Sequence, residues 1–225
     1  MLLNGAHLLP DGSGALVWPK EHLIALADPL TNTSTPRAAA ARLPALFKIL
    51  ATVLNRRRPR AVLWLGETLP RLYRDGLLGK TEAKALTAML AAHDWVWVEA
   101  AAYQRGPLTF RATASAETPI GEVAGGLAPV ARLRRGEDSE TRPCYVFDGR
   151  RLLLPAFGSD GTGTDVLSPA LKPLFRRPFA ALMVSGGRIK TMTRAQLEAQ
   201  FPRQSPAAAA ATGRVGTRMK LGSGE

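Results

Sequence analysis

Residues 142–158 read RPCYVFDGRRLLLPAFG and contain two short apolar runs on either side of a turn. The runs at residues 144–147 (CYVF) and 151–154 (RLLL) have the length and composition of strands. Asp148 and Gly149 between them form a dipeptide that is typical of a tight hairpin. The segment therefore predicts two neighbouring antiparallel strands, with Cys144 as a small buried hydrophobic residue rather than a nucleophile.

The first half of the chain alternates apolar runs with segments of helical periodicity. Buried strands are predicted at Leu23–Ala27 (LIALA), Ala61–Leu65 (AVLWL) and residues 95–98 (WVWV). Helices are predicted over residues 37–57 and 80–93, and Pro44 predicts a kink or a late start of the first helix. Strand, helix, strand, helix, strand is typical of a βαβαβ unit with a parallel sheet.

The second half consists of short strand-like segments that are separated by Gly, Pro and Asp. Apart from the hairpin, these segments lie at residues 108–111, 121–125, 130–134 and 181–184. A terminal helix is predicted over residues 193–201, with Thr193 as its N-cap. Six or more short strands after a βαβ half predict a two-sheet sandwich with helices outside.

Composition is that of a folded protein with one domain. The 225 residues are 46% hydrophobic and 21% charged, and we expect the domain to span residues 1–201. Residues 202–225 are rich in Ser, Pro, Ala, Gly and Arg and are expected to be disordered. The N-terminus lacks the pattern of a signal peptide, and no run approaches the roughly 20 uninterrupted apolar residues of a membrane span. The expectation is a cytoplasmic protein without a membrane partner.

The net charge of +12 favours polyanionic partners, because binding to them releases counterions. Basic residues cluster at the ends of the periodic segments. The candidates for nucleic-acid contact are Arg56, Arg57, Arg58, Arg134 and Arg135. The alternative is that these clusters are solvated faces, since aromatic residues do not interleave with them as they do in a single-strand stacking platform.

Residues 121–132 read GEVAGGLAPVAR. This segment resembles the calcineurin-like metallophosphoesterase superfamily, and in particular its ligase-associated DNA-damage-response endonuclease branch, which has roughly GEIAGHLHPAAR there. The run at residues 142–158 is similar to the Arg-Pro-Cys-Phe run, hairpin and Leu-Pro-Ala-Phe-Gly of that branch. The resemblance extends over residues 16–190. It implies an α/β fold in which a two-sheet β-sandwich is flanked by helices, in four layers ordered αββα.

In that family, His and Asp side chains at strand ends hold two divalent metal ions. The resemblance places Asp28 in the family's Asp-x-His motif and Glu67 in its Gly-Asp motif. The other aligned ligand positions hold residues without metal-binding side chains, namely Leu30, Ala101, Ala102, Ala112, Gly126 and Ala128. The histidines of the chain lie outside all of these motifs, at His7, His22 and His93.

Two-metal phosphoester hydrolysis needs ions about 3.5–4 Å apart, held by several His and carboxylate ligands. Asp28 and Glu67 cannot rebuild such a site, so we predict a catalytically degenerate protein that needs no cofactor. Its role is then binding or scaffolding linked to DNA repair, with nucleic acid or DNA-repair proteins as partners. The alternative is an active metal-dependent phosphodiesterase or DNA endonuclease that uses Asp28, Glu67, unrecognised ligands and two divalent ions such as Mn²⁺.

Two further patterns leave alternatives open. Glu67 and Glu99 end neighbouring predicted strands, where they are either an acid/base pair or ordinary solvated carboxylates. Residues 158–163 (GSDGTG) are glycine-rich but lack the Lys-Ser/Thr ending of a phosphate-binding loop, so a flexible loop is predicted there.

Overall fold

The computed structural model describes residues 1–30, 35–117, 119–159, 161–175, 177–185 and 188–201. Within these ranges the chain forms four α-helices and two large sheets. The helices are α1 (Pro36–Arg57), α2 (Thr68–Arg74), α3 (Lys80–Ala92) and α4 (Arg194–Gln200). The segment predicted to be disordered, residues 202–225, lies outside the described residues.

A small hairpin and a five-stranded sheet form the N-terminal half. Their strands are β1 (Leu2–Leu3), β2 (Ala6–His7), β3 (Leu9–Pro10), β4 (Leu16–Trp18), β5 (Leu23–Ala27), β6 (Ala61–Leu65) and β7 (Asp94–Val98). The five-stranded sheet has the order β3-β4-β5-β6-β7. Strands β5, β6 and β7 run parallel, with α1 between the first two and α3 before the third. This arrangement confirms the predicted βαβαβ unit.

The second sheet has nine strands. They are β8 (Tyr103–Arg105), β9 (Leu108–Arg111), β10 (Glu122–Ala124), β11 (Pro129–Arg135), β12 (Asp138–Phe147), β13 (Arg151–Leu153), β14 (Thr164–Asp165), β15 (Ala180–Ser185) and β16 (Arg188–Thr193). Seven of them follow the order β14-β11-β12-β13-β10-β9-β8, and β15 joins β16 to β12. The predicted hairpin is confirmed, since β12 and β13 are antiparallel and Gly149 adopts φ +86 in the turn.

Three apolar clusters lie between the layers. Side chains such as Leu63 of β6 and Phe110 of β9 fill the space between the two sheets. On the outer face of the five-stranded sheet, Trp64 packs among residues of α1, α2 and α3. On the outer face of the nine-stranded sheet, Cys144 is buried in the cluster that contains Leu197 of α4. The layers therefore follow the order helices, sheet, sheet, helix.

Helix α1 is the longest helix of the described residues and a core element of the fold. The Thr35 Oγ accepts a hydrogen bond from the N–H of Ala38 at 3.1 Å, and Pro36 begins the helix. The helix continues through Pro44, so the predicted late start is wrong. By length and hydropathy alone, α1 is also the one helix of the described ranges that could span a membrane. Its buried side chains pack in the cluster against the five-stranded sheet, as those of a core helix do.

Several elements were not predicted from the sequence. Strands β1–β4, β14 and β16 are two to six residues long, and α2 contains Pro70 within seven residues. Strand β12 begins at Asp138, six residues before the predicted run. The reason is that its first part pairs with β11, whereas residues 144–147 pair with β15.

Candidate functional site

The carboxyl ends of β5 and β6 meet at one edge of the five-stranded sheet. Ala27 lies opposite Leu65, and the N–H of Asp28 donates to the Leu65 carbonyl at 2.9 Å. Gly66 follows at close range, since a Cβ atom there would lie 2.3 Å from the Asp28 Cβ. A side chain at Gly66 would clash with Asp28. Glycine at this position therefore allows Asp28 to approach the start of α2.

The carboxylate of Asp28 is buried and accepts hydrogen bonds from main-chain N–H groups. Its Oδ1 accepts from Leu30 at 2.8 Å, and its Oδ2 accepts from Thr68 at 2.9 Å and Leu69 at 3.2 Å. Thr68 and Leu69 begin α2, where N–H groups lack partners within the helix. Burial raises the pKa of Asp28, although the hydrogen bonds oppose this shift. Asp28 thus caps a helix whose sequence lies about 40 residues further along the chain.

The neighbouring motif positions have different environments. Leu30 is fully buried in the cluster between the five-stranded sheet and its helices. Glu67 is exposed and occupies the N-cap position of α2, where its side chain makes no capping hydrogen bond. The structure therefore brings Asp28 and Glu67 to the same sheet edge. Asp28 already binds main-chain N–H groups, and Leu30, at an aligned histidine position, is part of the core.

The end of β7 carries a carboxylate that is bound by an arginine. Arg74 of α2 donates from Nη1 and Nη2 to the two oxygens of Glu99, at 2.7 and 2.8 Å. This bidentate contact lowers the pKa of Glu99. A carboxylate that is stabilised in its ionised form is a poor proton donor, which disfavours the acid/base hypothesis for Glu67 and Glu99. Ala101 and Ala102 follow as exposed residues.

The second sheet approaches the same edge through the loop after β10. A Cβ atom at Gly125 would lie 3.1 Å from the Ala27 Cβ and 3.2 Å from the Leu65 carbonyl oxygen. Gly126 adopts φ +80, and a Cβ atom there would lie 2.7 Å from the carbonyl oxygen of Ala112. The aligned ligand positions 112 and 126 are thus neighbours, but the backbone at Gly126 leaves no room for a side chain.

The last aligned position, Ala128, is held by a neighbouring loop. Ala128 adopts φ +45, and its carbonyl oxygen accepts from the N–H of Thr164 at 3.1 Å. A Cβ atom at Gly163 would lie 1.8 Å from that oxygen, so only glycine fits there. The loop of residues 125–128 is therefore packed from both sides.

The donors at this edge do not fit a dinuclear metal centre. Among the residues that the structure describes, no group of three or more His, Cys, Asp and Glu side chains is placed to hold a metal ion. His22 and His93 directly precede β5 and β7, whereas Asp28 directly follows β5. A five-residue strand is about 17 Å long, so these imidazoles lie at the opposite end of the sheet from Asp28.

Two of the arginines predicted to contact nucleic acid bind a buried carboxylate, and their contact with nucleic acid stays a prediction. Asp11, between β3 and β4, is 1% exposed and accepts from Arg56 Nη2 at 2.7 Å and from Arg57 Nε at 2.9 Å. Asp11 is not recognisable from the sequence, because its partners lie 45 and 46 residues away and an Asp in a turn has no specific pattern. Arg58 ends α1 in the left-handed conformation and is exposed. Of this cluster, Arg58 alone has no structural partner within the described residues.

The second predicted cluster lies on the hairpin of β11 and β12. Arg134 Nε donates to the Gly136 carbonyl at 3.0 Å, and Arg135 forms an ion pair with Glu140 at 3.0 Å. Glu140 also accepts from Arg142 at 2.8 Å. Arg134 and Arg135 remain exposed, so their contact with nucleic acid stays a prediction.

A comparison with protein-family models and with curated proteins gives no match. The fold is similar to that of a solved structure, the nuclease MPE of Pseudomonas putida, with a TM-score of 0.51. The similarity covers 85% of this chain and 98% of that chain, at 21% sequence identity. The chain thus has a nuclease- or phosphoesterase-like α/β sandwich fold, which confirms the predicted fold class. Identity this low establishes the fold alone.

Proposed function

We propose that this chain is a catalytically degenerate metallophosphoesterase-like protein of the ligase-associated branch, which binds nucleic acid or its protein partners in DNA repair. The observation that carries the proposal is the engagement of Asp28. Its carboxylate already accepts three main-chain hydrogen bonds and caps α2, so both oxygens have partners within the fold. Leu30 in the core and Gly126 without room for a side chain support the same conclusion.

The nucleic-acid part of the proposal has separate support. The chain carries a net charge of +12, and sequence-independent binding to nucleic acid depends on such charge. The structure with a similar fold is that of a nuclease. A degenerate relative of a nuclease keeps the shape that positions a nucleic acid while it loses cleavage.

Elemental analysis of the purified protein tests the loss of the metal centre. We expect less than stoichiometric Mn, Fe and Zn, and no Mn²⁺-dependent hydrolysis of bis(p-nitrophenyl) phosphate. Stoichiometric metal together with turnover that Asp28→Ala abolishes would establish the alternative, an active phosphodiesterase or endonuclease. Circular dichroism of Asp28→Ala shows whether that variant is folded. Glu67→Ala serves as a second variant, because the Glu67 side chain makes no capping hydrogen bond to α2.

Retention of DNA tests the binding role. We expect the protein to retain oligonucleotides at low salt, to release them as salt rises, and to leave them uncleaved in the presence of Mn²⁺. Cleavage would contradict degeneracy. If no nucleic acid is retained at low salt, the nucleic-acid part of the proposal is wrong and a protein partner is the remaining candidate.

A further inference from the structure

Three adjoining cavities form a groove along α1. Their volumes are about 430, 270 and 310 Å³, and all three are lined by Ile49 of α1. The first and second share Gly12 and Ser13, and the second and third share Gly158. The groove thus lies between α1 and two loops, residues 10–14 and 155–159. We call it the α1 groove.

The α1 groove extends to the sheet edge that holds Asp28. Its third cavity is lined by Pro29 and Arg42, and its first cavity by Arg56 near the end of α1. Arg42 and Arg56 are 14 residues apart, which corresponds to about 21 Å along a helix. A linear ligand in the groove would therefore run along α1 and reach the loop beside Asp28.

The charged side chains that line the α1 groove are mostly basic. Arg42, Lys48, Arg56 and Arg57 carry four positive charges, and Asp11 is the one acidic side chain among the described residues that line it. The four positive charges and the one negative charge give the groove a net charge of +3. Arg56 is 53% exposed although it binds Asp11, and Lys48 is exposed. Helix α1 itself contains no Asp or Glu.

The remaining lining is aliphatic or carries hydroxyl groups. Ile49 and Ile189 supply apolar surface. The hydroxyl groups of Ser13 and Thr52 donate to Asp11 Oδ1 and to the Lys48 carbonyl. The aromatic ring beside the third cavity, Phe157, is fully buried. The basic side chains therefore carry the interaction with a ligand backbone, and the described part of the lining has no exposed ring on which a base could stack.

We propose that the α1 groove binds single-stranded nucleic acid through its phosphodiester backbone. The inference rests on the proposed function and locates the nucleic-acid site on α1 rather than on the β11–β12 hairpin. A cavity of the largest volume is about 9 Å across, and a duplex does not fit into it because a duplex is wider than its own major groove of roughly 12 Å. A single strand fits this width, and the missing stacking surface implies binding without base preference.

The chain's own C-terminal segment is an unsuitable occupant of the α1 groove. Residues 202–225 contain Arg203, Arg214, Arg218, Lys220 and Glu225, which sum to +3. Like charges in the groove and in this segment repel each other. An acidic protein segment carries the right charge and is therefore the alternative that the experiment has to distinguish.

Fluorescence anisotropy with a labelled oligothymidylate of about 20 nucleotides tests the proposal on the full chain at about 50 mM salt. We expect Lys48→Glu and Thr52→Glu to weaken binding about tenfold each, because both add negative charge to the groove. Both side chains are exposed on α1, and the Thr52 hydroxyl donates to the Lys48 carbonyl of the same helix, so both variants should fold. Lys84→Glu on α3 makes the same charge change outside the groove, and Arg134→Glu tests the hairpin; we expect less than about a twofold effect for each.

The outcomes separate the inference from the proposed function. If wild type binds and Lys48→Glu binds as well as Lys84→Glu, the α1 groove is not the site, while the proposed function stands. If Arg134→Glu causes the larger loss, the hairpin is the site. If the wild type does not bind the oligonucleotide, the inference and the nucleic-acid part of the proposed function are both wrong, and a protein partner remains the candidate. Polyglutamate and unlabelled oligothymidylate are then compared as competitors, each at a stated concentration of negative charges. If polyglutamate displaces the labelled oligonucleotide at the lower concentration, the ligand is an acidic protein segment and the inference is wrong.

Discussion

The carboxylate of Asp28 stabilises the first turn of α2 by accepting main-chain hydrogen bonds. An asparagine at this position keeps only one of the two acceptor oxygens. Asp28→Asn keeps the shape of the side chain but places an NH₂ group against N–H donors of Leu30 or of α2. We expect the free energy of unfolding to fall by about 1–3 kcal/mol, as measured by urea unfolding. Glu67→Gln is the control, with an expected change within about 0.5 kcal/mol because Glu67 is exposed.

Comparison of the wild type with Asp28→Asn also reports on metal binding. A metal that binds only the native state raises its stability according to its affinity and concentration. We expect Mn²⁺ to leave the unfolding midpoint of the wild type unchanged. If Mn²⁺ stabilises the wild type but not Asp28→Asn, then Asp28 is a metal ligand and the degenerate assignment is wrong.

The backbone conformation at Gly126 determines whether this aligned ligand position could accommodate a side chain. Gly126 and Gly136 both have positive φ, +80 and +61, but a Cβ atom clashes with Ala112 only at Gly126. We expect Gly126→Ala to lower the free energy of unfolding by at least about 1 kcal/mol more than Gly136→Ala. Thermal unfolding of both variants measures the difference. Equal losses would mean that the loop relaxes and that a side chain could return there.

Among the elements, the last turn of α1 is attached to the loop between β3 and β4 by Asp11. Burial opposes ionisation of Asp11, but the N–H of Ser13, the hydrogen bond from Arg57 and the charge of Arg56 together lower its pKa. The folded pKa therefore lies below the unfolded value of about 3.9. Stability from this contact is present above that value and is lost as the pH falls through the folded pKa.

Replacement of Asp11 should consequently remove a pH-dependent part of the stability. We expect Asp11→Asn to be less stable than wild type by about 1–3 kcal/mol near neutral pH, with the difference shrinking below about pH 4. Urea midpoints across this range measure it. Asp94→Asn, which removes an exposed ion pair with Arg60, should have almost no effect. A difference between Asp11→Asn and wild type that does not change with pH would contradict the assignment.

At the scale of the whole molecule, the buried ion pair between Arg151 and Glu122 connects the nine-stranded sheet to the loops around it. Arg151 of β13 donates from Nε to the Glu122 Oε2 of β10 at 2.6 Å. Its guanidinium also donates to the carbonyl oxygens of Leu174, Ser115 and Glu117. One side chain thus satisfies acceptors from three separate segments of the chain.

Removal of this arginine should therefore destabilise the whole fold. Arg151→Met leaves the Glu122 charge buried and several carbonyls without a donor, so we expect a loss of about 3–5 kcal/mol. The double variant with Glu122→Gln should lose less than the sum of the single losses. Arg194→Met, which removes an exposed pair with Glu198, should change stability by less than about 0.5 kcal/mol. Additive losses at Arg151 and Glu122 would show that the two residues act independently.

The strands and helices that the sequence predicted are those with a clear local pattern. Strands β5 and β6 match the predicted boundaries, and α3 ends one residue before the predicted end. Helix α2 was not predicted, because it is seven residues long, contains Pro70 and depends on a cap from Asp28. The sequence predicts the strand ends that carry Asp28 and Glu67, but it does not show which donors bind the carboxylate of Asp28.

The alternation of strands and helices, the hairpin at Asp148 and Gly149, and the lack of histidines at the aligned ligand positions are predictable from the sequence. These features depend on side-chain type and near neighbours, which a sequence displays directly. By contrast, the capping of α2 by Asp28 and the binding of Arg56 and Arg57 by Asp11 become visible only in the folded chain. The reason is that the partners lie 40 residues or more apart in the chain, and the chemistry of a carboxylate depends on which donors the fold brings to it.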